Sequence, residues 1–403
     1  MRRSRARGRS DAPRPNLAAA VAATGAVACA LLLAVPLTTP QLPRASHPLL
    51  PNFAAAQRCT APSAPPSLPP LVLRLLSSLQ TSLSSDVSGR TRRAASGDCA
   101  RLLAAAQEGQ AALTKERAES GTLAPPPAEV PEAMRSDFTM QGAIPVSYFF
   151  VDDSRQGHGT HYIFPGDDID RYVTSAQAQR RLLEETIAEE GLDAALQATS
   201  VLAYPLHRRV PRQVMDLWLS QAMHAQQAAL QGSRVLVLGS SSPWVEAAAL
   251  AHGAKEVVTV EYNQLTYEHP GISTVTPHAL FAQTNMGTFD AAFAISSLDH
   301  DGLGRYGDPV NPFADFQAME RLACLVRDAG LLFLSVPCGP DALVWNLHRR
   351  YGRKRLPELL KGWHVQERYG WHEERLDVDA DVRQSYEPVF VLTPQSSSAH
   401  SAE

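Results

Sequence analysis

Apolar residues follow two different patterns along this chain, and the change between them falls near residue 234. Upstream, helical spacing predicts helices at 71–83, 99–118, 175–202 (capped by Thr174 or Ser175) and 211–230, and a short apolar run predicts a strand at 146–151. Downstream, short continuous apolar runs predict strands at 234–239, 256–261, 272–277, 289–296 and 330–337, with helices at 244–252 and 316–326. This alternation indicates an α/β domain built on a doubly wound parallel sheet.

The end of the predicted body departs from that alternation. Segments 363–369 and 388–393 have strand patterns with no helix between them, so we expect the parallel sheet to finish in an antiparallel pair. The body covers 211–394, and a helical and proline-rich region precedes it. The predicted boundaries are a helical hairpin and linker at 71–131, a helical extension at 132–210 and a disordered tail at 395–403.

The N-terminal region predicts a membrane anchor. A basic tail, 1–16, precedes an uncharged stretch of 21 residues, Leu17–Leu37, which is about the length that spans a bilayer. Ten prolines between Pro36 and Pro70 then predict an extended stem at 38–70. We expect a single-pass type II membrane protein of the Golgi or endoplasmic reticulum, with the body in the lumen. A cleaved signal peptide and a plastid transit peptide are the alternatives.

The charge and the cysteine spacing of the chain limit which nucleic-acid, metal and disulfide partners are expected. Outside the basic tail, 31 Lys and Arg residues stand against 40 Asp and Glu, which argues against nucleic acid because such binding depends on neutralising phosphates. The cysteines lack metal-ligand spacing, and His158 and His161 lack a third ligand, so no metal site is predicted. Cys59 and Cys99 flank the first predicted helix, and they either pair across a small hairpin or remain unpaired.

A candidate nucleoside site follows the first parallel strand. The turn there reads Gly239-Ser240-Ser241-Ser242, and backbone N–H groups at such a turn bind polar or anionic ligand groups. Glu261 ends the second strand 22 residues after Gly239. This is about the spacing of the acidic residue that accepts hydrogen bonds from ribose hydroxyls. The alternative is a serine-capped helix and a surface glutamate.

The loop at 299–308 carries the candidate chemistry. It holds three carboxylates, a histidine, an arginine, a tyrosine and three glycines, where a doubly wound sheet opens its ligand crevice. His300 is the predicted general base, with Asp299 or Asp301 orienting its ring, and Arg305 is the predicted anchor for an acidic substrate group. The alternative is a structured Ω-like loop whose Asp residues cap turns and whose Arg forms a local ion pair.

Other candidate substrate contacts lie in and after this loop: Tyr306, Asp308, Trp345, Asn346 and His348. They precede a run of five basic residues within 349–355. Such a run is either a solvated face or a surface that attracts an anionic acceptor, such as a uronic acid or a phosphate.

The body resembles class I S-adenosylmethionine-dependent methyltransferases over about 211–394, in FDAAFAISSLDH (289–300) and LVRDAGLLFLSVP (325–337). Longer blocks resemble the uncharacterised family known as domain of unknown function 268: GSSSPWVEA (239–247), VEYN (260–263), SSLDHDGLGRYGDPVNP (296–312) and WNLHRRYGRKRLPELLKGW (345–363). The resemblance implies a Rossmann-like methyltransferase fold with S-adenosyl-L-methionine as cofactor. In place of the family's glycine triad, however, stand Gly239, Ser241 and Pro243.

Two functions therefore compete. The first is a methyltransferase acting on a small-molecule or glycan acceptor, an anionic one among the options, with His300 as base. The second is a non-catalytic binding or scaffold protein of the secretory membrane system, which the altered glycine triad favours. A glycosyltransferase fits only the layout of anchor, stem and body. Its Asp-x-Asp metal motif would have to be Asp377-Val378-Asp379, which lies near the C-terminal strands, away from the crevice.

Overall fold

Seven strands form the central sheet of the computed structural model, in the order β11-β12-β8-β7-β3-β4-β6. The strands of the chain are β1 Val146–Tyr148, β2 His161–Phe164, β3 Arg234–Leu238, β4 Glu256–Val260, β5 Gln264–Tyr267, β6 Ile272–Val275, β7 Phe289–Ile295, β8 Val326–Ser335, β9 Ala342–Trp345, β10 His348–Arg350, β11 Trp363–Tyr369 and β12 Val389–Pro394. Strands β3, β4, β6, β7 and β8 run parallel. Strand β12 lies antiparallel between β8 and β11, so the predicted antiparallel pair is present.

The structure describes residues 99–106, 108, 126–153, 161–190, 212–240, 242–262, 264–283, 288–378, 381 and 386–395. All of them belong to one compact unit, Ser84–Glu403. The predicted anchor, the stem, the helix at 71–83 and residues 396–403 of the tail lie outside the described residues. Within the described ranges, no helix combines the length and the apolar character needed to cross a bilayer.

Helices connect the parallel strands of the sheet. They are α1 Glu132–Phe138, α2 Gly166–Glu190, α3 Arg212–Ala225, α4 Gln227–Leu230, α5 Trp244–Ala251, α6 Pro277–Gln283, α7 Ala314–Leu325 and α8 Arg355–Leu359, with a 3-10 turn at Glu373–Leu376. Helical turns at 99–106 precede them. Successive residues of β3, Val235, Leu236 and Val237, are all buried. Because neighbouring side chains of a strand point to opposite faces, both faces of this central strand are covered.

The segment at 132–190, predicted as a helical extension of the body, contributes two strands to sheets as well as helices. Strand β1 pairs in parallel with β9 in a three-stranded sheet, and β2 pairs in parallel with β5. The prediction missed β5 because Gln264-Leu265-Thr266-Tyr267 is short and half polar.

Two helix boundaries also differ from the prediction. Helix α2 begins at Gly166, so Thr174 and Ser175 lie inside it instead of capping it. Asp167 and Asp168 occupy its first turn, where negative charge is favourable at the positive end of the helix dipole. The helix predicted at 211–230 is broken at Gln226 into α3 and α4.

The cysteine prediction was wrong about the partner. A disulfide joins Cys99 to Cys324 of α7, with the two Cα atoms 5.5 Å apart. Cys99 therefore neither pairs with Cys59 nor remains a free thiol, and sequence spacing could not show this because 225 residues separate the two partners. Cys338 is free and buried.

Candidate functional site

A cavity of about 190 Å³ opens at the carboxyl ends of β3, β4 and β7. Gly239 follows β3, Glu261 follows β4 and Ser297 follows β7, and all three line it. Its other walls come from the loop after β7 and from helices α6 and α7, through His300, Asp301, Tyr306, Asp308, Leu280, Phe281, Arg321, Leu322 and Leu325 among others. The cavity therefore lies where parallel sheets bind ligands.

Gly239 occupies a position that only glycine fits. Its φ is +67°, in the left-handed region, and its N–H donates to the Val260 carbonyl at 3.0 Å. A Cβ atom there would lie 2.2 Å from the Ser297 hydroxyl oxygen. The sharp turn and the close approach of two strand ends both depend on this residue.

The predicted serine contacts are not oriented toward the cavity. The Ser240 hydroxyl donates to the Ser242 carbonyl at 2.8 Å and lies 3.1 Å from the Glu246 carboxyl, in the protein interior. Neither Ser240 nor Ser242 lines the cavity. Ser241 lies outside the described residues.

Glu246, in the first turn of α5, is fully buried beneath that turn. Burial raises its pKa to about 7, although the Thr259 hydroxyl counteracts part of the effect. Thr259 donates to one carboxyl oxygen at 2.7 Å. Because the single hydroxyl hydrogen of Ser240 satisfies the Ser242 carbonyl, the other oxygen of Glu246 is best satisfied when it carries a proton and donates to Ser240. The sequence analysis missed Glu246, although a single acidic residue in an otherwise apolar helix was a signal for it.

Glu261 lies where the prediction placed it, at the end of β4 beside Gly239. Its backbone N–H donates to Val275 at 3.1 Å, and one carboxylate oxygen accepts the Tyr262 N–H at 2.8 Å. The side chain lines the cavity. The Glu261 carboxylate group and the turn at Gly239 are therefore parts of the same cavity.

The loop at 299–308 is a series of hydrogen-bonded turns built around Asp308. The Asp308 carboxylate accepts the N–H groups of Gly304 and Tyr306, each at 3.1 Å. Burial raises the pKa of Asp308, and these N–H groups oppose that rise. Asp308 therefore caps turns, as the alternative interpretation of the loop held, while the loop still lines the cavity.

His300 borders the cavity, but its two nitrogens face the protein. Nδ1 lies 2.7 Å from the Leu347 carbonyl oxygen, which accepts only, so Nδ1 carries the hydrogen. Nε2 lies 3.3 Å from Asp299. Burial, together with the nearby charge of Arg305, lowers the pKa of His300 to about 4. Burial also raises the pKa of the fully buried Asp299. In this arrangement the basic nitrogen faces Asp299 and not the cavity.

Asp301 is the predicted catalytic residue with an available carboxyl group. It lines the cavity, and its side chain forms no hydrogen bond with any described residue. Burial, followed by the nearby Asp308, raises its pKa well above the ordinary value.

Arg305 is engaged in a local ion pair. Its Nε lies 2.8 Å from an Asp153 carboxylate oxygen, and its guanidinium stacks 4.8 Å from the ring centroid of Tyr306. Arg305 does not line the cavity, whereas Tyr306 does.

Three predicted substrate contacts are buried in the protein and do not line the cavity. Trp345 is buried and donates its indole N–H to the Pro127 carbonyl at 3.0 Å. Asn346 is buried and accepts the Val151 N–H at 2.8 Å. His348 is buried, 6.4 Å from the His300 ring. Polar residues after a strand indicate a site only when their side chains face the cavity. The sequence does not show in which direction those side chains point.

Three of the five residues of the basic run are likewise internal, so the run as a whole does not form a solvated anion-attracting surface. Arg349, Arg350 and Arg355 are buried, and their guanidiniums donate to backbone carbonyls or pair with Asp315. The two exposed members also have partners: Arg353 pairs with Glu373 and Asp377, and Lys354 donates to the Ala143 carbonyl at 2.8 Å. These cations stabilise the fold.

Two cavity residues were missed by sequence reasoning, Tyr262 and Arg321. Both line the cavity, and burial raises the pKa of Tyr262 and lowers that of Arg321. Helical spacing contained a signal for Arg321, because it adjoins the face of α7 formed by Ala318, Leu322 and Leu325. Within the described part of the chain, no group of three His, Cys, Asp or Glu residues is arranged to hold a metal ion.

Solved structures with a similar fold include two S-adenosylmethionine-dependent methyltransferases. A putative one from Listeria monocytogenes is 12% identical over 44% of this chain and 96% of its own, with a TM-score of 0.30. One from Mesorhizobium loti is 13% identical over 44% and 97%, with a TM-score of 0.31. A putative hemolysin from Streptococcus thermophilus is 15% identical over 48% and 71%, with a TM-score of 0.30. At these identities and scores, no reaction follows from the likeness.

Among curated proteins, none matches this chain. A family model does match, over residues 232–391, and its description is Caenorhabditis protein of unknown function, DUF268. The matched range begins just before β3 and ends within β12, so it contains the seven-stranded sheet apart from the last residues of β12. Residues 232–391, which carry the glycine turn, Glu261 and the cavity loop, therefore match the model of the DUF268 family.

Proposed function

We propose that this domain binds S-adenosylmethionine at the ends of β3 and β4 and transfers its methyl group to a small acceptor. The observation that carries the proposal is that Gly239 and Glu261, at the ends of adjacent parallel strands, line one cavity. A parallel sheet finished by an antiparallel pair, typical of class I methyltransferases, supports it.

The residues present fit this cofactor in two respects. The left-handed Gly239 allows backbone to approach a ligand closely, since no side chain fills the turn. The Glu261 carboxylate retains acceptor capacity for ribose hydroxyls. When bound, the cofactor supplies an electrophilic methyl group on a sulfonium.

The protein must then orient the acceptor and remove its proton. Of the three predicted catalytic residues, Asp301 is the best placed, because the residue lines the cavity and its carboxyl group has no hydrogen bond to a described residue. Its raised pKa makes it a stronger base than an ordinary aspartate. Asp299 and His300 then serve as a buried pair that supports the loop behind it.

Calorimetry on the full chain in detergent micelles tests cofactor binding, with S-adenosylhomocysteine as ligand. We expect Glu261→Gln to weaken binding at least tenfold, as loss of a charged hydrogen-bond acceptor does. Glu256→Gln, at the opposite end of the same strand, is the matched control and should bind like the parent. No binding by the parent, or equal binding by Glu261→Gln, would refute the proposal.

A non-catalytic binding protein is the second candidate. It is favoured by Ser240, whose hydroxyl is used inside the protein, and by Ser241 and Pro243 at the triad positions. Transfer of labelled methyl groups to fractionated small molecules and glycans separates the two functions. A methyltransferase loses transfer in Asp301→Asn while retaining cofactor binding; binding with no transfer to any fraction would support the second candidate.

For location, we propose that residues 17–37 anchor the chain in a secretory membrane with the body in the lumen. The disulfide between Cys99 and Cys324 supports this, because such bonds persist in oxidising compartments. Protease protection in microsomes is the test. A body that is digested without detergent, or recovered in plastids, would contradict the proposal.

A further inference from the structure

One cation of the cavity has no anionic partner among the residues that the structure describes. Arg321, on α7, is half-buried and lines the cavity. It forms no hydrogen bond or ion pair with any described residue; its guanidinium carbon lies 5.8 Å from the centroid of the Phe281 ring. By contrast, Arg305 and Arg355 each pair with a carboxylate at 2.8 Å.

The acids of the same cavity do not serve as its partner. Asp308 accepts two backbone N–H groups, and Glu261 accepts the N–H of Tyr262. Asp301 influences Arg321 electrostatically but forms no ion pair with it. A guanidinium withdrawn from water without a partner is unfavourable, and a ligand anion would offset that cost.

The surroundings of Arg321 define the rest of the ligand. Leu280, Phe281, Leu322 and Leu325 form apolar walls beside it, which favour an apolar or aromatic body. The acids that line the same cavity disfavour a doubly charged group such as phosphate, because like charges repel at short range. A singly charged carboxylate fits both conditions, since its two oxygens match the paired N–H donors of a guanidinium.

We propose that Arg321 anchors the carboxylate of a small apolar acid in this cavity. This names the acceptor class for the proposed methyl transfer, although carboxylate binding itself does not depend on that function. The carboxylate has two possible sources, the acceptor or the amino-acid end of the cofactor.

The first experiment uses benzoate and its neutral isostere benzamide, titrated against the full chain in detergent micelles. We expect the parent to bind benzoate at least tenfold more tightly than benzamide, and Arg321→Gln to lose this preference. Arg327→Gln is the matched control, because Arg327 pairs with Asp290 outside the cavity. If the parent binds the two probes equally or binds neither, or if Arg321→Gln retains the preference, the proposal is overturned.

Thermal unfolding separates an anchor from a structural arginine. An arginine without a partner does not hold the fold, so the midpoint of Arg321→Gln should equal or exceed that of the parent. A midpoint several degrees lower would show that Arg321 supports the structure and would overturn the proposal.

The second experiment identifies the source of the carboxylate with S-adenosylhomocysteine and 5′-methylthioadenosine, which lacks the amino-acid part. If the cofactor supplies the carboxylate, Arg321→Gln weakens the binding of S-adenosylhomocysteine but not that of 5′-methylthioadenosine. If the acceptor supplies it, Arg321→Gln changes the binding of neither ligand, and benzoate binds at the same time as S-adenosylhomocysteine. Weakening of both ligands would overturn the proposal. Benzoate binding through Arg321 without any S-adenosylhomocysteine binding would sink the methyltransferase function and leave this inference standing.

Discussion

Asp315, in the first turn of α7, accepts hydrogen bonds from Arg355 at 2.8 and 3.0 Å, and both side chains are buried. Arg349 lies 3.8 Å from the same carboxylate, and the Tyr351 hydroxyl donates to it at 2.9 Å. Burial alone would raise the pKa of Asp315, but the two arginines lower it overall. One carboxylate therefore compensates two cations inside the protein.

We expect Asp315→Asn to lower the free energy of unfolding by about 3–5 kcal/mol, because it leaves two buried guanidiniums without compensation. Urea denaturation measures this. Glu373→Gln removes an exposed partner of Arg353 and should have no measurable effect. Equal stability of Asp315→Asn and the parent would show that the network does not hold α7.

Glu246 predicts an unusual dependence of stability on pH. Because the folded state raises its pKa from 4.5 to about 7, the folded chain binds its proton more tightly than the unfolded chain does. Its contribution is fully present below pH 4.5 and is lost as the pH rises toward 7, by about 3 kcal/mol.

Glu246→Gln keeps a donor for Ser240 and an acceptor for Thr259 but cannot ionise. We expect it to remove that part of the pH dependence, measured by urea denaturation at pH 5 and pH 7.5. Glu256→Gln, an exposed glutamate, is the control. A parent and a Glu246→Gln variant with parallel pH profiles would mean that Glu246 is ionised in the folded protein.

Two glycines with nearly the same backbone conformation separate two costs of an alanine substitution. One is the strain of a left-handed backbone, and the other is the steric clash of the added Cβ atom. Gly239 and Gly232 have φ values of +67° and +72°, but a Cβ at Gly232 would meet nothing within 4 Å. Gly232→Ala should cost about 1–2 kcal/mol of stability from the left-handed backbone alone.

Gly239→Ala should cost about 1–3 kcal/mol more, because its Cβ would overlap Ser297. Ser297→Gly in the same chain should recover most of the difference, and calorimetry should show that cofactor binding is lost only in the Gly239 variant. Equal destabilisation by both alanines would show that the turn moves aside without cost.

The disulfide predicts a specific cross-linked peptide. Tryptic digestion without reductant should yield Cys99 joined to Cys324, and reduction should lower the free energy of unfolding by about 2–4 kcal/mol. A peptide joining Cys59 to Cys99 would contradict the structure.

The sheet was predictable because its strands are nearly continuous apolar runs. Strand β3 was expected at 234–239 and is Arg234–Leu238, and β11 was expected at 363–369 and is Trp363–Tyr369. Burial on both faces leaves little choice of residue in such strands. Strand β5 escaped detection because a short polar segment becomes a strand only through its pairing with β2.

The site was most predictable where the backbone determines it. Gly239 and Glu261 follow from strand ends and spacing, and both line the cavity. The direction of a side chain was not predictable: Trp345 and Arg349 look like a binding surface in the sequence, yet their partners are Pro127 and Asp315, which are distant in sequence. Conversely, Arg321 looks like an ordinary polar position of a helix.

The insertion of β12 between β8 and β11 has a consequence during synthesis. On the ribosome, β8 and β11 emerge before β12, so each presents an open backbone edge until β12 fills the gap. Open strand edges can pair with other chains, and they stay exposed until β12 has been synthesised and inserted. Chaperone binding to the nascent chain should therefore peak after β11 emerges and fall once Val389–Pro394 is inserted.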